Sequence, residues 1–323
     1  MFRFPRAFAL SALSVSVALG LAACGSDTSS GPATDAAAAA VVTDAPPASE
    51  APADSSGGLT ADVPMRIVSL SPSATEMLFA IGAGDQVVAV DDQSNFPEQA
   101  LAVQTDLSGY TPNVEAIAEY EPDLVLHDGT TDLSAQLEGI GVADWVGAAP
   151  TNFDDIYMQI EQLGAATGKV AEAAALVAQM SADIDGVVAA AAVAPTPLTF
   201  FHELDNTLYS VTSNTFIGQV YGLFGLRNIA DTAEGTSDYP QLSAEFVISQ
   251  DPDLIFLADA SFGESAETVA ARPGWETITA VTNNGVVPVD TDIASRWGPR
   301  IVDYIEAVGA AVAVVAAVPV TAG

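Results

Sequence analysis

The sequence predicts an α/β fold of two Rossmann-like lobes with parallel sheets, joined by one long spine helix, with a ligand cleft between the lobes. Strand-like apolar segments alternate with helical segments along the chain, which is the pattern of a parallel sheet covered by helices. The pattern also occurs twice, because residues 113–126 align without gaps with residues 243–256 at a constant offset of 130. Each copy has a helix-capping residue, a glutamate two positions later and Pro-Asp-Leu before a strand. A repeat of this kind indicates two related lobes.

The spine helix is predicted at residues 169–192. This stretch contains no proline, and Thr167-Gly168 before it offers a start. Apolar residues recur at steps of three and four, so they share one helical face: Ala173, Val177, Met180, Ile184, Val187 and Ala191. Pro195 and Pro197 stop the helix. The alternative is an ordinary long helix inside a single domain.

Five segments are expected along the chain. They are a signal peptide at 1–24, a disordered tether at 25–60, an N-terminal lobe at 65–150, a spine region at 151–194 and a C-terminal lobe at 195–318. The tether is mostly Ala, Ser, Pro, Asp, Gly and Thr, a composition that cannot bury a core.

Each lobe has its own series of predicted elements. In the first lobe, strands are predicted at 66–70, 87–90, 124–127 and 143–146, and helices from Ser73 or Thr75 to Ile81, at 114–120 after the cap Asn113, and at 132–140. In the second lobe, strands are predicted at 198–202, 254–257 and 285–289, and helices at 216–224, at 243–249 with Ser243 as the cap, and at 298–317. Ligands of parallel sheets bind beyond the carboxyl ends of the strands.

The charge balance excludes one class of partner. The chain has 42 Asp and Glu against 8 Lys and Arg, for a formal net charge of −34. Nucleic acid and anionic membrane surfaces would repel such a field, so neither is expected as a partner.

The N-terminal segment is predicted to be a signal peptide that directs export. Arg3 and Arg6 precede an apolar run at 7–21 that is too short to span a bilayer. Leu-Ala-Ala-Cys at 21–24 then resembles the bacterial lipobox. The resemblance implies cleavage before Cys24 and diacylation of its thiol, which would anchor the protein by lipid on the extracytoplasmic face of the cell membrane. The alternative is a plain secretory signal with an incidental cysteine.

Four segments together resemble one protein family. Arg-Ile-Val-Ser-Leu-Ser-Pro-Ser-Ala-Thr-Glu at 66–76, Leu-Phe-Ala-Ile-Gly-Ala-Gly at 78–84, Glu-Pro-Asp-Leu-Val at 121–125 and Trp-Gly-Pro-Arg-Ile-Val at 297–302 are similar to the substrate-binding proteins of iron-siderophore and vitamin B12 ABC importers. The resemblance implies limited closure of two lobes about one rigid helix. It also implies delivery of a small-molecule metal chelate to a permease that a separate ATPase drives.

Two glutamates stand at matching positions in the two lobes. In the family that the chain resembles, the glutamates that match Glu115 and Glu245 dock onto arginines of the permease. Two rigidly spaced carboxylates would set register and orientation through charge-assisted bonds. The alternative is that a glutamate in the first turn of a helix only favours the helix dipole.

Ligand contacts are expected near the start of the last helix. Arg296 and Arg300 flank Trp297 in a chain with few cations. A guanidinium suits a carboxylate or phosphate on a ligand, and an indole suits its flat face. The alternative for Arg300 is local pairing with Asp303 or Glu306.

Aromatic residues and histidines complete the candidate set. Tyr110, Tyr209 and Tyr239, together with Phe96 and Trp275, fall in predicted loops where they could line a cleft. His127 and His202, the only two histidines, each end a strand. Direct metal binding would need three or four converging ligands and no close histidine spacing exists, so we predict no resident metal and keep His202 as a candidate ligand contact.

These observations predict a lipid-anchored extracytoplasmic solute-binding protein of an ABC importer. The expected ligand is a ferric siderophore first and cobalamin second, so iron or cobalt would arrive within the ligand and no cofactor is expected. The family's vitamin B12 binders place aromatic groups, often tryptophan, around the cleft, whereas the region before Glu115 offers Tyr110. A receptor for haem or a bare metal ion is the alternative. Nucleophile-elbow, P-loop and HExxH motifs are absent, so an enzyme is not expected, although a secreted hydrolase or an adhesive surface protein stays open.

Overall fold

The computed structural model describes residues 63–64, 66–191 and 196–317, all of which fall in one compact unit, 59–323. The predicted signal peptide, Cys24 and the tether at 25–60 lie outside the described residues.

The first lobe is built on a parallel sheet of four strands in the order β2-β1-β3-β4. The strands are β1 (Ile67–Ser69), β2 (Val87–Val90), β3 (Leu124–His127) and β4 (Ala143–Val146). Central β1 pairs with β3 on one side, where Ile67 lies opposite Leu124, and with β2 on the other. All four strands lie at the predicted positions.

The second lobe repeats this sheet with the order β6-β5-β7-β8, again parallel throughout. Its strands are β5 (Thr199–Glu203), β6 (Arg227–Asn228), β7 (Leu254–Leu257) and β8 (Val286–Pro288). The two-residue strand β6 was not predicted, because so short a strand carries no periodic pattern. The predicted fold of two related lobes is confirmed.

The repeated Pro-Asp-Leu motif has the same structural role in both lobes. Asp123 accepts a hydrogen bond from the backbone N of Arg66 at 3.0 Å, and Asp253 accepts one from the backbone N of Thr199 at 2.8 Å. Each aspartate therefore ties the start of an inner strand to the start of its neighbour. The repeated sequence motif therefore fixes the alignment of two neighbouring strands in each lobe.

At least one helix separates each strand from the next along the chain. In order, the helices are α1 (Pro72–Ala80), α2 (Val114–Ala118), α3 (Leu133–Ile140), α4 (Phe153–Thr167), α5 (Val170–Ala190), α6 (Phe216–Gly222), α7 (Ala244–Gln250), α8 (Ala266–Ala270), α9 (Thr279–Thr282), α10 (Thr291–Ser295) and α11 (Ile301–Ala316). The caps Asn113 and Ser243 are confirmed, since each side chain accepts a bond from a backbone N–H in the first turn. The prediction of Ser73 or Thr75 as the cap of α1 was wrong. Ser71 caps it, because Pro72 takes the first helical position.

The connection between the lobes is a pair of helices. The spine α5 has 21 residues and is about 32 Å long. Before it, Gly168 is left-handed with a φ of 73° and ends α4, so Thr167-Gly168 ends α4 and does not start α5. Helix α4 was not predicted. It packs against α5 so closely that a Cβ on Gly164 would lie 2.4 Å from that of Ala173.

The lobes share one apolar core. The buried spine residues Ala173, Met180 and Ile184 belong to a cluster that also contains Ile67 of β1 and Phe200 of β5. Each lobe has a further cluster on the other face of its sheet. Within the described part of the chain, α5 alone is long and apolar enough to cross a membrane, but its buried face packs in this shared core.

Candidate functional site: the interlobe cleft

The carboxyl ends of the two sheets face a cleft between the lobes. A cavity of about 330 Å³ lies there, and we call it the polar chamber. Its walls come from the turns after the strands of both lobes. The lining side chains include Ser71, Ser73, Asp91, Gln93, Tyr110 and Asp128 of the first lobe, and Phe262, Thr291, Asp292, Ser295, Arg296 and Trp297 from the second half of the chain.

A second and more apolar space adjoins the first. This apolar chamber has a volume of about 180 Å³. It lies between Pro150, at the end of the first lobe, and Phe216, Tyr239 and Tyr304. Both chambers are lined by Ser295, Arg296 and Trp297, which therefore stand between them. A ligand with a polar body and an apolar side group would match this arrangement.

The polar chamber is acidic. Three aspartates, Asp91, Asp128 and Asp292, line it beside the single guanidinium of Arg296. Asp91 is only 2% exposed. Burial raises the pKa of its carboxyl to about 6, although the backbone N of Ser94 donates a bond to it at 2.9 Å. The chamber therefore gains negative charge as the pH rises through the weakly acidic range.

Arg296 is engaged by both lobes. Its Nη1 donates to Asn95 Oδ1 at 2.8 Å and to Glu76 Oε1 at 3.2 Å. Its Nη2 donates to the carbonyl of Gln93 at 3.0 Å and pairs with Asp292 Oδ1 at 2.9 Å. Nη1 thus uses both of its hydrogens, whereas Nη2 donates one hydrogen bond and lies in ion-pair contact with Asp292. The charge of the guanidinium is therefore paired with two carboxylates, those of Glu76 and Asp292.

Arg300 does not face the cleft. Its Nε donates to Glu76 Oε2 at 2.9 Å, and its guanidinium lies 4.2 Å from the ring centre of Phe96. Both side chains line a separate cavity of about 620 Å³, which lies mostly against the first lobe and shares no lining residue with the two chambers. The alternative of pairing with Asp303 or Glu306 is not observed, because Glu76 takes the guanidinium.

The predicted aromatic residues divide among the cleft, the surface and the core. Tyr110 is 77% exposed in the polar chamber, and Tyr239 lies in the apolar one. Tyr209 is also exposed, but it pairs with Gln241 in an isolated bridge and lines neither chamber. Trp275 is buried in the core of the second lobe. The sequence did not single out Phe262, which is 83% exposed in the polar chamber, because it lies in a short turn without a pattern.

The histidines lie inside the lobes. His202 is 0% exposed, its Nδ1 lies 2.6 Å from the hydroxyl of Tyr221, and burial lowers its pKa to about 3. It is therefore neutral at physiological pH and does not reach the cleft surface. His127 is buried as well, with its Nε2 3.1 Å from Asp144. Over the described ranges, no group of three or more His, Cys, Asp or Glu side chains is arranged to hold a metal ion.

The two repeat glutamates have matching environments. Glu115 lies in the first turn of α2 and Glu245 in the first turn of α7, and both side chains are exposed. Neither forms an ion pair with another described residue. Over the described part of the chain, both carboxylates are therefore exposed without a cationic partner.

Two parallel-sheet lobes around a shared helix, with a cleft at the strand ends, define a two-lobed solute-binding protein. The family model for periplasmic binding proteins matches residues 67–292. The chain belongs to this family, whose members that serve ABC importers bind solutes and are not enzymes.

Three known proteins illustrate the similarity. The chain is 34% identical over 253 residues to a cobalamin-binding protein of Halobacterium salinarum, covering 74% of this chain and 67% of that one. It is 31% identical over 252 residues to the ABC transporter substrate-binding lipoprotein YvrC of Bacillus subtilis, covering 75% of this chain and 78% of YvrC. The solved structure of the periplasmic heme-binding protein RhuT from Roseiflexus sp. RS-1 superposes with a TM-score of 0.69 at 26% identity, covering 78% and 98%.

Proposed function

We propose that this ABC-importer binding protein carries a corrinoid of the cobalamin type. The observation that supports this most is the charge of the cleft, where three aspartates line the polar chamber and the guanidinium of Arg296 is paired with Glu76 and Asp292. Such a surface disfavours chelates with net negative charge, including ferric citrate, ferric catecholates and haem with its two propionates. It accepts neutral or cationic chelates.

Cobalamin fits the remaining requirements. Its corrin ring carries amide side chains, whose N–H groups can donate to Asp128 and Asp292 and whose carbonyls can accept from Ser71 and Ser73. Tyr110 and Phe262 offer flat apolar faces to the ring. The molecule is larger than either chamber, so it would lie across both and extend beyond the rim.

The similarity to known proteins points the same way. A relative named for binding cobalamin is 34% identical to the chain. The sequence alone placed ferric siderophores first. Of these, only the uncharged hydroxamate type remains as a competitor of cobalamin for the site. Haem is disfavoured by the acidic lining, although a structural relative is named for binding it.

The anchoring and docking sites belong to the same proposal. Cys24 would carry the lipid, which agrees with the description of YvrC as a lipoprotein. Glu115 and Glu245 would dock on the permease, one from each lobe, and the segments 65–150, 151–194 and 195–318 would be its two lobes and their connection. Tyr110, Tyr239, Arg296 and Trp297 remain the predicted residues that line the ligand site.

Calorimetric titration of the purified protein tests the ligand. The ligands would be cyanocobalamin, a neutral ferric hydroxamate, ferric citrate and haemin, each titrated under the same conditions. We expect saturable one-to-one binding of cyanocobalamin and weaker or no binding of the two anionic chelates. Tighter binding of haemin or ferric citrate than of cyanocobalamin would refute the proposal.

A further inference from the structure

One buried carboxylate joins two distant parts of the chain. Glu76 lies on α1 of the first lobe and is 3% exposed. It accepts bonds from Arg296 and Arg300, which are 220 and 224 residues away in sequence. A buried carboxylate would be costly without such partners, and here it has two.

The charges of the four ionised side chains in this cluster sum to zero. Glu76 and Asp292 carry the negative charges, and Arg296 and Arg300 carry the positive ones. Asn95 adds neutral bonds, accepting from Arg296 at 2.8 Å and donating to Asp292 at 2.9 Å. Loss of the charge on Glu76 would leave a net positive charge at the wall of the cleft.

Only one of the two arginines borders the ligand site. Arg296 lines both chambers of the cleft, whereas Arg300 lines the separate cavity beside Phe96. Glu76 lines that separate cavity too, so it stands behind Arg296 as seen from the cleft. It is thus placed to act on a ligand through Arg296 and not by contact.

We propose that Glu76 is a positioning residue that sets ligand selectivity. It holds Arg296 in a fixed, neutralised arrangement, so the described lining of the cleft offers no unpaired cation and disfavours anionic chelates. The inference rests on the proposed function in one respect, namely that the interlobe cleft is the ligand site. It adds the residue that decides the charge class of the ligand.

A purely structural role for Glu76 makes a different prediction. A staple between the lobes would lower stability when removed and would weaken the binding of every ligand in similar proportion. A charge-setting role changes the ratio of affinities between an anionic and a neutral ligand. The ratio is therefore the quantity to measure.

The test compares haemin with cyanocobalamin on Glu76→Gln, which keeps the size of the side chain and removes its charge. We expect the ratio of haemin affinity to cyanocobalamin affinity to rise about tenfold, as one added unit charge near the ligand would produce. The gain should shrink at high salt. It should vanish in the double variant Glu76→Gln with Arg296→Met, where the released guanidinium is gone.

Two further variants keep the test decisive if Glu76→Gln fails to fold. Asp292→Asn removes a more exposed partner of Arg296 and should shift the ratio in the same direction; because Asp292 also lines the polar chamber, only the part of the shift that Arg296→Met cancels counts. Arg300→Met removes the other partner of Glu76 and leaves Arg296 neutralised, so it should not raise the ratio. An unchanged ratio in folded Glu76→Gln, or in Asp292→Asn, would overturn the inference.

The outcomes separate this inference from the proposed function. If the unaltered protein binds cyanocobalamin and the ratio does not respond, the inference alone fails. If it binds a ferric hydroxamate instead, the proposed ligand is wrong, and the ratio of ferric citrate to that hydroxamate then carries the same test. Binding of none of these chelates would overturn both.

Discussion

At the scale of single residues, the cleft combines polar groups whose states depend on burial. Asp91 accepts a backbone bond from Ser94 yet has almost no contact with water. Desolvation outweighs that bond and raises its pKa to about 6. The folded-state pKa thus lies above the ordinary value of 3.8, so the folded protein holds a proton on Asp91 that the unfolded chain releases. The stability contribution of Asp91 is therefore fullest below about pH 4 and is lost as the pH rises through about 6.

Asp91→Asn should remove this pH dependence. At about pH 8 the free energy of unfolding should rise by up to about 3 kcal/mol, and at about pH 4 the change should be small. Urea denaturation followed by circular dichroism at both pH values measures it. Asp106→Asn, at an exposed position, is the matched control and should change little at either pH. A loss of stability at the higher pH would contradict the burial argument.

The sequence predicts which residues lie near the cleft better than it predicts which way their side chains point. A candidate such as Tyr110 follows from its place in a loop beside the strand ends, and it does line the polar chamber. His202 also ends a strand, but its side chain points into the lobe, and no sequence pattern decides between the two faces at a strand end. The pairing of Glu76 with Arg296 and Arg300 spans more than 200 residues of sequence and appears only in the fold.

At the scale of elements, strands with continuous apolar runs were predictable. Leu124–His127 and Leu254–Leu257 are buried on both faces, as parallel strands are, and their lengths and flanking Pro-Asp mark them as strands. Helix α4 was not predicted, because the stronger apolar pattern of α5 dominates this part of the chain. Its own signals, the cap Asn152 and the glycine that ends it, are local and were present in the sequence.

The close packing of α4 against α5 requires a glycine at position 164. A Cβ on Gly164 would lie 2.4 Å from Ala173 Cβ and 3.0 Å from the carbonyl O of Lys169. Gly164→Ala should therefore lower the free energy of unfolding by about 1–3 kcal/mol, although alanine is the better helix former. Gly186→Ala in α5, where a Cβ would meet nothing within 4 Å, is the control and should stabilise by about 0.5–1 kcal/mol. Stabilisation by both changes would show that the helices do not pack as described.

Changes in the first turns of α2 and α7 should weaken docking on the permease without changing the affinity for the ligand. Glu115→Lys with Glu245→Lys should leave the affinity for cyanocobalamin unchanged, because neither residue lines the cleft. Binding to the permease should fall about tenfold or more through loss of charge-assisted bonds. Pull-down with permease-containing membranes, alongside titration, measures both. Glu161→Lys on the exposed face of α4 is the control. Normal permease binding by the double variant would rule out the docking role.

At the scale of the whole molecule, the shared core couples the lobes. Residues of both sheets, of α5 and of α11 belong to one apolar cluster. Phe153 of α4 also packs edge-on against Phe216 of α6, with ring centres 5.1 Å apart. These contacts supplement the spine, so relative movement of the lobes should be small. The repeat and the spine were readable in the sequence, but the shared core was not, because it depends on contacts between distant segments.

A shared core predicts a single unfolding transition. Scanning calorimetry should show one peak, with equal calorimetric and van't Hoff enthalpies, because neither lobe can lose its core alone. An unrelated two-domain protein joined by a flexible linker would serve as a reference for two peaks. Two resolved transitions would show that the lobes unfold independently.

The central claim, that the interlobe cleft binds a corrinoid, is tested most directly by a crystal structure with cyanocobalamin. Cobalt scatters anomalously, so its position can be located independently of the rest of the ligand. We predict one cobalt peak between the lobes, beside the polar chamber and near Tyr110 and Phe262. A peak in the cavity beside Phe96 and Arg300, or none in the cleft of a protein that binds the ligand in solution, would contradict the account.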